Sequence, residues 1–143
     1  MQKPIDTPRP ILFKHFSLRD WIVLIIIIIA ILSRVIGLGD RVMSHDEVNH
    51  VVPAFDLFSG RGYRHDPVTH GPLQFHLMSL SYFVFGDNDF TSRLPHAIFG
   101  VLTIAFVMFF FRRYLGSIGA IVAGILFTIS PFMLFYSRYA RND

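Results

Sequence analysis

The run "WIVLIIIIIAILSRVIGL", residues 21–38, decides the class of fold that this chain adopts. As an α-helix it would cover about 27 Å, which is close to the thickness of the hydrocarbon core of a bilayer. Trp21 suits an interfacial anchor at one end, and we expect Arg34 to extend its guanidinium toward the headgroups at the other. The run therefore predicts a transmembrane helix.

A cleaved signal peptide is the competing interpretation of this region. Residues 1–20 form a basic head that contains Lys3, Arg9, Lys14 and Arg19, and an apolar run follows it. However, no small-x-small cleavage pattern comes after Ala30. We therefore expect residues 1–20 to be a basic cytoplasmic tail and the run at 21–38 to be an uncleaved anchor.

Two further apolar runs lie closer to the end of the chain. Residues 94–111 read "LPHAIFGVLTIAFVMFFF", and residues 117–136 read "SIGAIVAGILFTISPFMLFY". Each run predicts a transmembrane helix, and residues 112–116 predict a tight turn between them. Pro131 is tolerable in the last run because a helix bundle offers other partners to the backbone groups that proline leaves unpaired.

The segment 39–93 is a long polar stretch with apolar pieces inside it. Residues 46–58 predict a short helix that Pro53 bends or ends. Residues 72–86 are apolar, but as a helix they would reach only about 22 Å, so we expect them to lie along the membrane surface. The predicted fold is therefore an all-α integral membrane protein with three transmembrane helices and a long outer loop that contains short interfacial helices.

The distribution of basic residues predicts the orientation in the membrane. Basic residues precede the first span, and Arg112 and Arg113 lie between the second and the third. The positive-inside rule places both segments in the cytoplasm, so the loop 39–93 and the tail 137–143 face outside. A fourth span over 72–86 would move the two arginines outside, and the parity therefore favours three spans.

Composition excludes several classes of function. The chain has no cysteine, which excludes disulfides, thiolate zinc sites and cysteine nucleophiles. Its net charge of +3 is small and its basic residues are scattered, which argues against nucleic acid as a partner.

Two similar stretches in the loop carry the chemistry: "SHDEVNH" at 44–50 and "YRHDPVTH" at 63–70. Asp46 and Glu47 follow the first span by only a few residues. At the mouth of a bundle we expect them to be partly desolvated, which would move their pKa values toward neutral, as acid–base catalysis requires. Ordinary solvated loop charges are the alternative interpretation.

The histidine spacing does not fit a zinc protease. His45 and His50 are five residues apart, so on a helix they point about 140° away from each other, unlike the histidines of HExxH. A carboxylate-rich Mg²⁺ or Mn²⁺ site is left open, because oxygen ligands suit these ions.

Five stretches in order resemble the amino-terminal part of GT-C-type membrane glycosyltransferases: "SHDEVNH", "YRHDPVTHGPLQFHL", "TSRLPHAIFGVLT", "RRYLG" and "ISPFMLFYSRYARND". The resemblance is to the protein-mannosyltransferase-like branch and, within it, to the subgroup labelled flippase-activity-associated. It covers the chain from about residue 20 to residue 143. Since such enzymes carry many more spans, it implies that this chain is an amino-terminal fragment.

The resemblance also implies an activity and its residues. Such enzymes transfer a sugar from a polyprenyl-phosphate carrier to a glycan or protein acceptor on the non-cytoplasmic face. It assigns the general base to Asp46, places Glu47 beside it, and matches Asp143 to a second catalytic acid. Some relatives hold a divalent metal with these acids and others need none, so Mg²⁺ or Mn²⁺ at Asp46 and Asp143 is left open.

Charge and location add candidate substrate-binding residues. A departing phosphate requires cations to stabilise it, and arginine binds phosphate with two hydrogen bonds. The arginine candidates are Arg138 and Arg141. The two His-Asp stretches add His50, His65, Asp66 and His70 as further substrate-binding candidates. The two arginines also fit a simple charge patch at the membrane boundary.

Other classes of protein fit part of the pattern. A non-catalytic membrane module, or a truncated partner associated with the translocation of lipid-linked sugars, is the main alternative. A metal-dependent membrane hydrolase is a second. A small transporter has little support, because the predicted spans contain no acidic residue.

Overall fold

The computed structural model describes residues 17–63 and 71–141, and the secondary structure within these ranges is entirely helical. The prediction of an all-α fold is therefore confirmed for the described chain. The helices in order are α1 (Leu18–Val35), α2 (His45–Phe58), α3 (Leu73–Phe85), α4 (Asp89–Phe110), α5 (Arg112–Ile129) and α6 (Pro131–Tyr136).

Three of the helices begin at a reciprocal capping box. In this motif the side chain of the cap residue accepts from a backbone N–H three residues later, and that later side chain accepts from the backbone of the cap. The pairs are Ser17 with Asp20 at α1, Ser44 with Glu47 at α2, and Asn88 with Thr91 at α4. Local sequence thus fixes where these helices start.

Within residues 17–63 and 71–141, two helices are long and apolar enough to cross a membrane. They are α4, with 22 residues, and α5, with 18 residues. The helix α1 also has 18 residues, but Arg19, Asp20 and Arg34 lie among them. The predicted count of three spans is therefore not confirmed, and the crossing by α1 remains a prediction.

The predicted third span at 117–136 is divided in the structure. The helix α5 ends at Ile129, and α6 begins at Pro131 after Ser130, whose extended backbone separates the two. In place of the predicted turn at 112–116, α5 is helical from Arg112 and is broken at Gly116, where φ is +70°. Glycine adopts this left-handed conformation without steric cost.

The two short helices predicted within the loop are present as α2 and α3. Pro53 lies inside α2, which continues to Phe58. Of the two predicted effects, Pro53 therefore does not end the helix, and the bend stays a prediction. The carbonyl of Asn49, four residues earlier, loses its usual donor, and Asn49 is exposed.

At two later prolines, side chains donate to the backbone carbonyls that proline leaves without a donor. Pro95 in α4 cannot donate to the carbonyl of Thr91, and the Ser81 hydroxyl donates to that carbonyl instead at 2.8 Å. Since Ser81 belongs to α3, this hydrogen bond also fixes α3 against α4. The carbonyl that Pro95 leaves unpaired in α4 thus provides a contact with α3.

Arg34 plays the same role at Pro131. The carbonyl of Phe127 lies four residues before Pro131, and the Arg34 guanidinium donates to it at 3.1 Å. Arg34 is fully buried. The expectation that its side chain would extend to the headgroups is therefore wrong, because its charged end is held between α1 and α5.

Apolar side chains form two separate cores. In one core, Ile26 and Ala30 of α1 pack with Ile104 and Met108 of α4, and Ile121 and Phe127 of α5 pack against this cluster. The other joins α2 and α3 to the residues after α6, through Ala54, Phe75, Met78, Tyr82 and Ala140. A layer of buried polar side chains that includes Glu47, Thr91, Ser92 and Arg93 accompanies these cores, and the candidate site is built from this layer.

Gly100 provides a test of the close packing in this region. A Cβ atom at Gly100 would lie 2.4 Å from the Cβ of Ser137, so alanine forces α4 away from the residues after α6. We expect Gly100→Ala to lower the free energy of unfolding of the full-length protein by about 1–3 kcal/mol. Gly71→Ala is the control, because no atom of the described residues lies within 4 Å of its added Cβ. Equal stability of both variants in detergent would contradict the packing.

Candidate active site

The acidic pair at the start of α2 is divided between the interior and the surface. Glu47 is fully buried, whereas half of the Asp46 side chain is exposed to solvent. Both residues lie in the first turn of α2, where the helix dipole favours negative charge. Neighbours in sequence therefore have very different surroundings.

The Glu47 carboxylate accepts hydrogen bonds from four parts of the chain. Arg93 donates from Nε to Oε1 at 2.8 Å and from Nη2 to Oε2 at 3.1 Å. Arg41 donates to Oε2 at 2.9 Å, and the backbone N–H groups of Ser44 and Ala140 donate at 3.1 Å each. These bonds use the acceptor capacity of a carboxylate, which has about four lone-pair sites.

Arg93 connects Glu47 to the segment that follows α1. It is almost completely buried near the start of α4. Its Nη1 atom donates to the backbone carbonyls of Leu38 and Arg41, at 3.0 and 2.9 Å. The guanidinium thus ties the beginning of α4 to the α1–α2 connection and to the start of α2. Because both charges are buried, each depends on the other for compensation.

The surroundings of Glu47 lower its pKa. Burial acts to raise the pKa, but the hydrogen bonds from Arg93, Ser44 and Ala140, together with the charge of Arg93, outweigh that effect. The expectation that burial moves this pKa toward neutral is therefore wrong for Glu47. The carboxylate is held in its charged form and has no acceptor position left for a substrate proton.

Asp46 has the opposite character. Its Oδ2 atom accepts from Arg141 Nη1 at 2.7 Å, in an ion pair whose two side chains are both partly exposed. Arg141 lies 95 positions later in the chain, beyond α6. The segment after α6 therefore returns to the start of α2, and Asp46 remains open to solvent next to a cation.

Aromatic residues support this return. The hydroxyls of Tyr139 and Ser44 lie 2.6 Å apart, which joins the α2 cap to the end of the described chain. The Arg41 guanidinium lies over the rings of Phe135 and Tyr139, at 5.5 and 5.2 Å from their centroids. Such cation–π contacts strengthen when they are shielded from water.

Arg138 is engaged with the end of α1. It is half-buried and donates to the carbonyls of Ser33 and Gly37, at 2.7 and 2.9 Å. These carbonyls belong to the last turn of α1 and the residues just after it, where helical partners run out. A cleft of about 320 Å³ that is lined by Arg41, Arg138 and Phe135 lies beside this contact.

His50 makes no hydrogen bond to these charged groups. It is buried, and its ring meets the edge of Phe75 at 5.9 Å between centroids. Neither ring nitrogen has a hydrogen-bond partner among the described residues. Residues His65, Asp66, His70 and Asp143, which the sequence also predicts for the site, lie outside the described ranges.

The described part of the site contains no cluster of three His, Asp or Glu side chains that fits a metal ion. Glu47 is fully occupied by donors, and Asp46 is paired with Arg141. The described residues therefore do not by themselves provide a ligand set for a metal ion.

Sequence reasoning missed the residues that organise the site. The sequence prediction includes Arg93 only as the last residue of the outer loop and gives it no role, although a charge that becomes buried in a helix bundle needs a partner. Ser44 and Glu47 also form a capping box that is visible as S-x-x-E in the sequence. That motif predicts a structural role for Glu47 and leaves Asp46 as the exposed acid.

Part of this sequence matches a known protein family. The family described as dolichyl-phosphate-mannose-protein mannosyltransferase matches residues 69–143, more than half of the chain. The chain belongs to this mannosyltransferase family. The resemblance to the protein-mannosyltransferase-like branch is thereby confirmed, and the narrower subgroup remains a prediction.

Two relatives of the mannosyltransferase family are similar over nearly the whole chain. Both are named polyprenol-phosphate-mannose–protein mannosyltransferase. The protein from Corynebacterium glutamicum is 32% identical over 151 residues, which cover 95% of this chain and 29% of the relative. The protein from Mycobacterium tuberculosis is 32% identical over 156 residues, which cover 98% and 30%. No solved structure matches.

The chain thus spans less than a third of the length of these mannosyltransferases. Family membership and the two apolar helices α4 and α5 indicate an integral membrane protein.

Removing one partner of the buried pair tests its structural role. We expect Glu47→Gln to lower the free energy of unfolding of the full-length protein by about 3–5 kcal/mol, because Arg93 is left buried and uncompensated. The double variant Glu47→Gln/Arg93→Leu is expected to lose less than the two single variants together. Reversible unfolding in mixed micelles measures all three.

The matched control for this cycle is Asp56→Asn, on the same helix. Asp56 forms a partly exposed ion pair with Arg61 at 2.7 Å, and its loss is expected to cost no more than about 1 kcal/mol. Additive losses in the cycle, or equal losses for Glu47→Gln and Asp56→Asn, would contradict the structural role of the buried pair.

The lowered pKa of Glu47 also predicts how stability depends on pH. The carboxylate contributes its stabilisation above the ordinary value of 4.5 and loses it as the pH falls through the lower folded-state pKa. Unfolding temperatures recorded on acidification from neutral pH should therefore fall more steeply for the wild type than for Glu47→Gln. Parallel curves for the two proteins would show that Glu47 has no such shift.

Proposed function

We propose that the full-length protein is a membrane glycosyltransferase that moves a mannosyl group from a polyprenyl-phosphate carrier to a protein acceptor. In this proposal Asp46 is the general base that takes the proton of the acceptor hydroxyl. Family membership and the names of the two relatives support the reaction class and the donor. The choice of Asp46 over Glu47 comes from the geometry.

The single observation that supports this assignment is the difference in burial and hydrogen bonding between Asp46 and Glu47. Glu47 is buried and already accepts from Arg93, Arg41 and two backbone N–H groups. Asp46 is half exposed and accepts a hydrogen bond from the partly exposed Arg141. A general base must come within hydrogen-bond distance of the proton that it removes. Asp46 can meet a substrate hydroxyl, and Glu47 is better suited to holding α2 in place.

The proposed reaction balances as a displacement at the anomeric carbon. The acceptor oxygen gives its proton to Asp46 and forms the new bond to the sugar. The bond between the sugar and the carrier phosphate breaks, and its electron pair stays on the phosphate oxygen. The phosphate is a good leaving group when cations stabilise the charge that develops on it.

The cleft beside the end of α1 is the proposed position for that phosphate. Its volume is about 320 Å³, and Arg41 and Arg138 contribute its cationic side chains. Pro131, Leu134 and Phe135 supply apolar walls suited to the first units of a polyprenyl chain. The donations of Arg138 to two carbonyls hold its guanidinium in place before the substrate arrives. Arg141 stays with Asp46 in this arrangement.

The outer face of the membrane is the proposed location of the site. The positive-inside rule places Arg112 and Arg113, at the α4–α5 junction, in the cytoplasm. The start of α4, which is the end away from these two arginines, meets the residues just after α1, where Arg93 donates to the carbonyl of Leu38. A crossing by α1 would then bring Asp46 to the non-cytoplasmic face. The packing of α1 against α4 and α5 through Ile26 and Ala30 supports that crossing.

Asp46→Asn tests the proposed base. We expect it to reduce sugar transfer by about 10²–10⁴-fold, because the amide cannot accept the proton. Membrane insertion and the unfolding temperature should stay close to those of the wild type, since Asp46 is exposed. The assay is transfer from polyprenyl-phosphate mannose to an acceptor peptide by the full-length protein.

Asp56→Asn provides the matched comparison, because it makes the same chemical change on the same helix and also breaks an arginine pair. It should retain near wild-type transfer. Undiminished transfer by Asp46→Asn would remove Asp46 from the mechanism. Transfer from nucleotide sugars, with none from any polyprenyl-phosphate sugar, would overturn the donor.

A further inference from the structure

A second cleft lies between α3 and α4, and neither the catalytic residues nor the proposed phosphate position uses it. Its volume is about 300 Å³, at the lower end of the range for small-molecule pockets. Leu73, Leu77 and Phe99 contribute apolar walls. Gln74 and His96 are the polar side chains in its lining.

Gln74 and His96 form a polar wall whose hydrogen-bonding capacity is partly unused. Gln74 is 8% exposed, and its Nε2 lies 3.2 Å from His96 Nε2. Gln74 Oε1 and His96 Nδ1 are both buried and have no hydrogen-bond partner among the described residues. Leaving such groups unpaired costs free energy, so a buried pair of this kind indicates a missing polar partner.

The wall offers one donor and one acceptor at the same time. If the Gln74 amide donates to His96 Nε2, the histidine carries its proton on Nδ1, which is left as a donor, while Oε1 is left as an acceptor. With the amide reversed, the two unused roles exchange between the residues. In either arrangement the matching group must both accept and donate, as a hydroxyl does.

The cleft has no charged side chain in its described lining. A phosphate or carboxylate would therefore find no cation there and would meet the amide oxygen. A neutral ring that carries hydroxyls on its edge and C–H groups on its faces matches both the polar wall and the apolar walls. A hexosyl group has this chemistry.

The position of the cleft favours a sugar that arrives on a lipid. Leu73 and Phe99 are 67% and 52% exposed, so the rim of the cleft is apolar where α3 and α4 face outward. A soluble glycan would have to cross this rim, whereas a membrane-embedded carrier reaches it from the bilayer. The ring of His50 packs against Phe75, the residue after Gln74, at 5.9 Å between centroids. His50 follows Asp46 by four residues, or about 6 Å along α2.

From these observations we infer that the cleft between α3 and α4 binds the hexosyl group of the lipid-linked donor through Gln74 and His96. The inference rests on the proposed function for the identity of the carrier. Gln74 and His96 then act as sugar-specificity residues, separate from the base and from the arginines.

Equilibrium binding of two matched lipids tests this inference. The probes are a short-chain polyprenyl-phosphate mannose and the same polyprenyl phosphate without sugar, added to the detergent-solubilised full-length protein. The wild type should bind the mannosyl lipid more tightly. Gln74→Leu and His96→Leu should each reduce that preference by about three- to tenfold, the equivalent of one hydrogen bond. Binding of the sugar-free lipid should stay within about twofold and shows that each variant is folded.

His76→Leu is the matched control on α3. His76 is exposed, does not line the cleft, and its ring contacts the carbonyl of Pro72 at 2.7 Å. This variant should keep the full preference for the mannosyl lipid. Equal loss in His76→Leu and Gln74→Leu would overturn the inference, because the effect would then not depend on the cleft.

The remaining outcomes are also decisive. A wild type that binds both lipids equally, or a Gln74→Leu variant that keeps the full preference, means that the cleft holds no donor sugar. A raised KM for the acceptor with unchanged lipid binding assigns the cleft to the acceptor and overturns the inference. If the wild type prefers the mannosyl lipid but transfers no sugar, the proposed function fails while the sugar site stands.

Discussion

The buried carboxylate of Glu47 is the interaction on which the rest of the site depends. Its hydrogen bonds join the connection after α1, the cap of α2, the start of α4 and the segment after α6. Arg41 and Ser44 are close to Glu47 in sequence, whereas Arg93 and Ala140 lie 46 and 93 positions away. A buried ion pair gives little net stability compared with apolar packing, but breaking one partner is costly. The pair therefore acts mainly to hold one arrangement of the four segments.

That arrangement explains why neighbouring acids can have different roles. In the first turn of a helix, consecutive side chains point about 100° apart, so burying Glu47 turns Asp46 outward. Arg141 then meets Asp46 because Ala140, its neighbour, donates a backbone N–H to Glu47. The position of the proposed base is thus a consequence of the structural acid. Other polar side chains also have structural roles. Arg34, Ser81 and Arg138 each donate to a backbone carbonyl that lacks its helical partner.

Much of the fold could be predicted from the sequence, because apolar runs and helix caps are local signals. The runs at 94–111 and 117–136, the helix at 46–58 and the interfacial segment at 72–86 all correspond to helices. The break before Pro131 and the helical start at Arg112 were missed, since proline and glycine act through backbone geometry. The site was harder to predict. The partner of Glu47 lies 46 residues away in Arg93, and only the packing of α4 against the α1–α2 connection brings the two together. The unused polar atoms of Gln74 and His96 appear only when α3 and α4 are placed side by side.

An experimental density map of the full-length protein in a lipid nanodisc tests the central claim most directly. The account predicts that the Glu47 carboxylate lies within hydrogen-bond distance of both the Arg93 guanidinium and the backbone N–H of Ala140. It also predicts that Asp46 is exposed to solvent beside Arg141. A map in which Asp46 occupies the buried position against Arg93, or in which Glu47 is exposed to solvent, would contradict it.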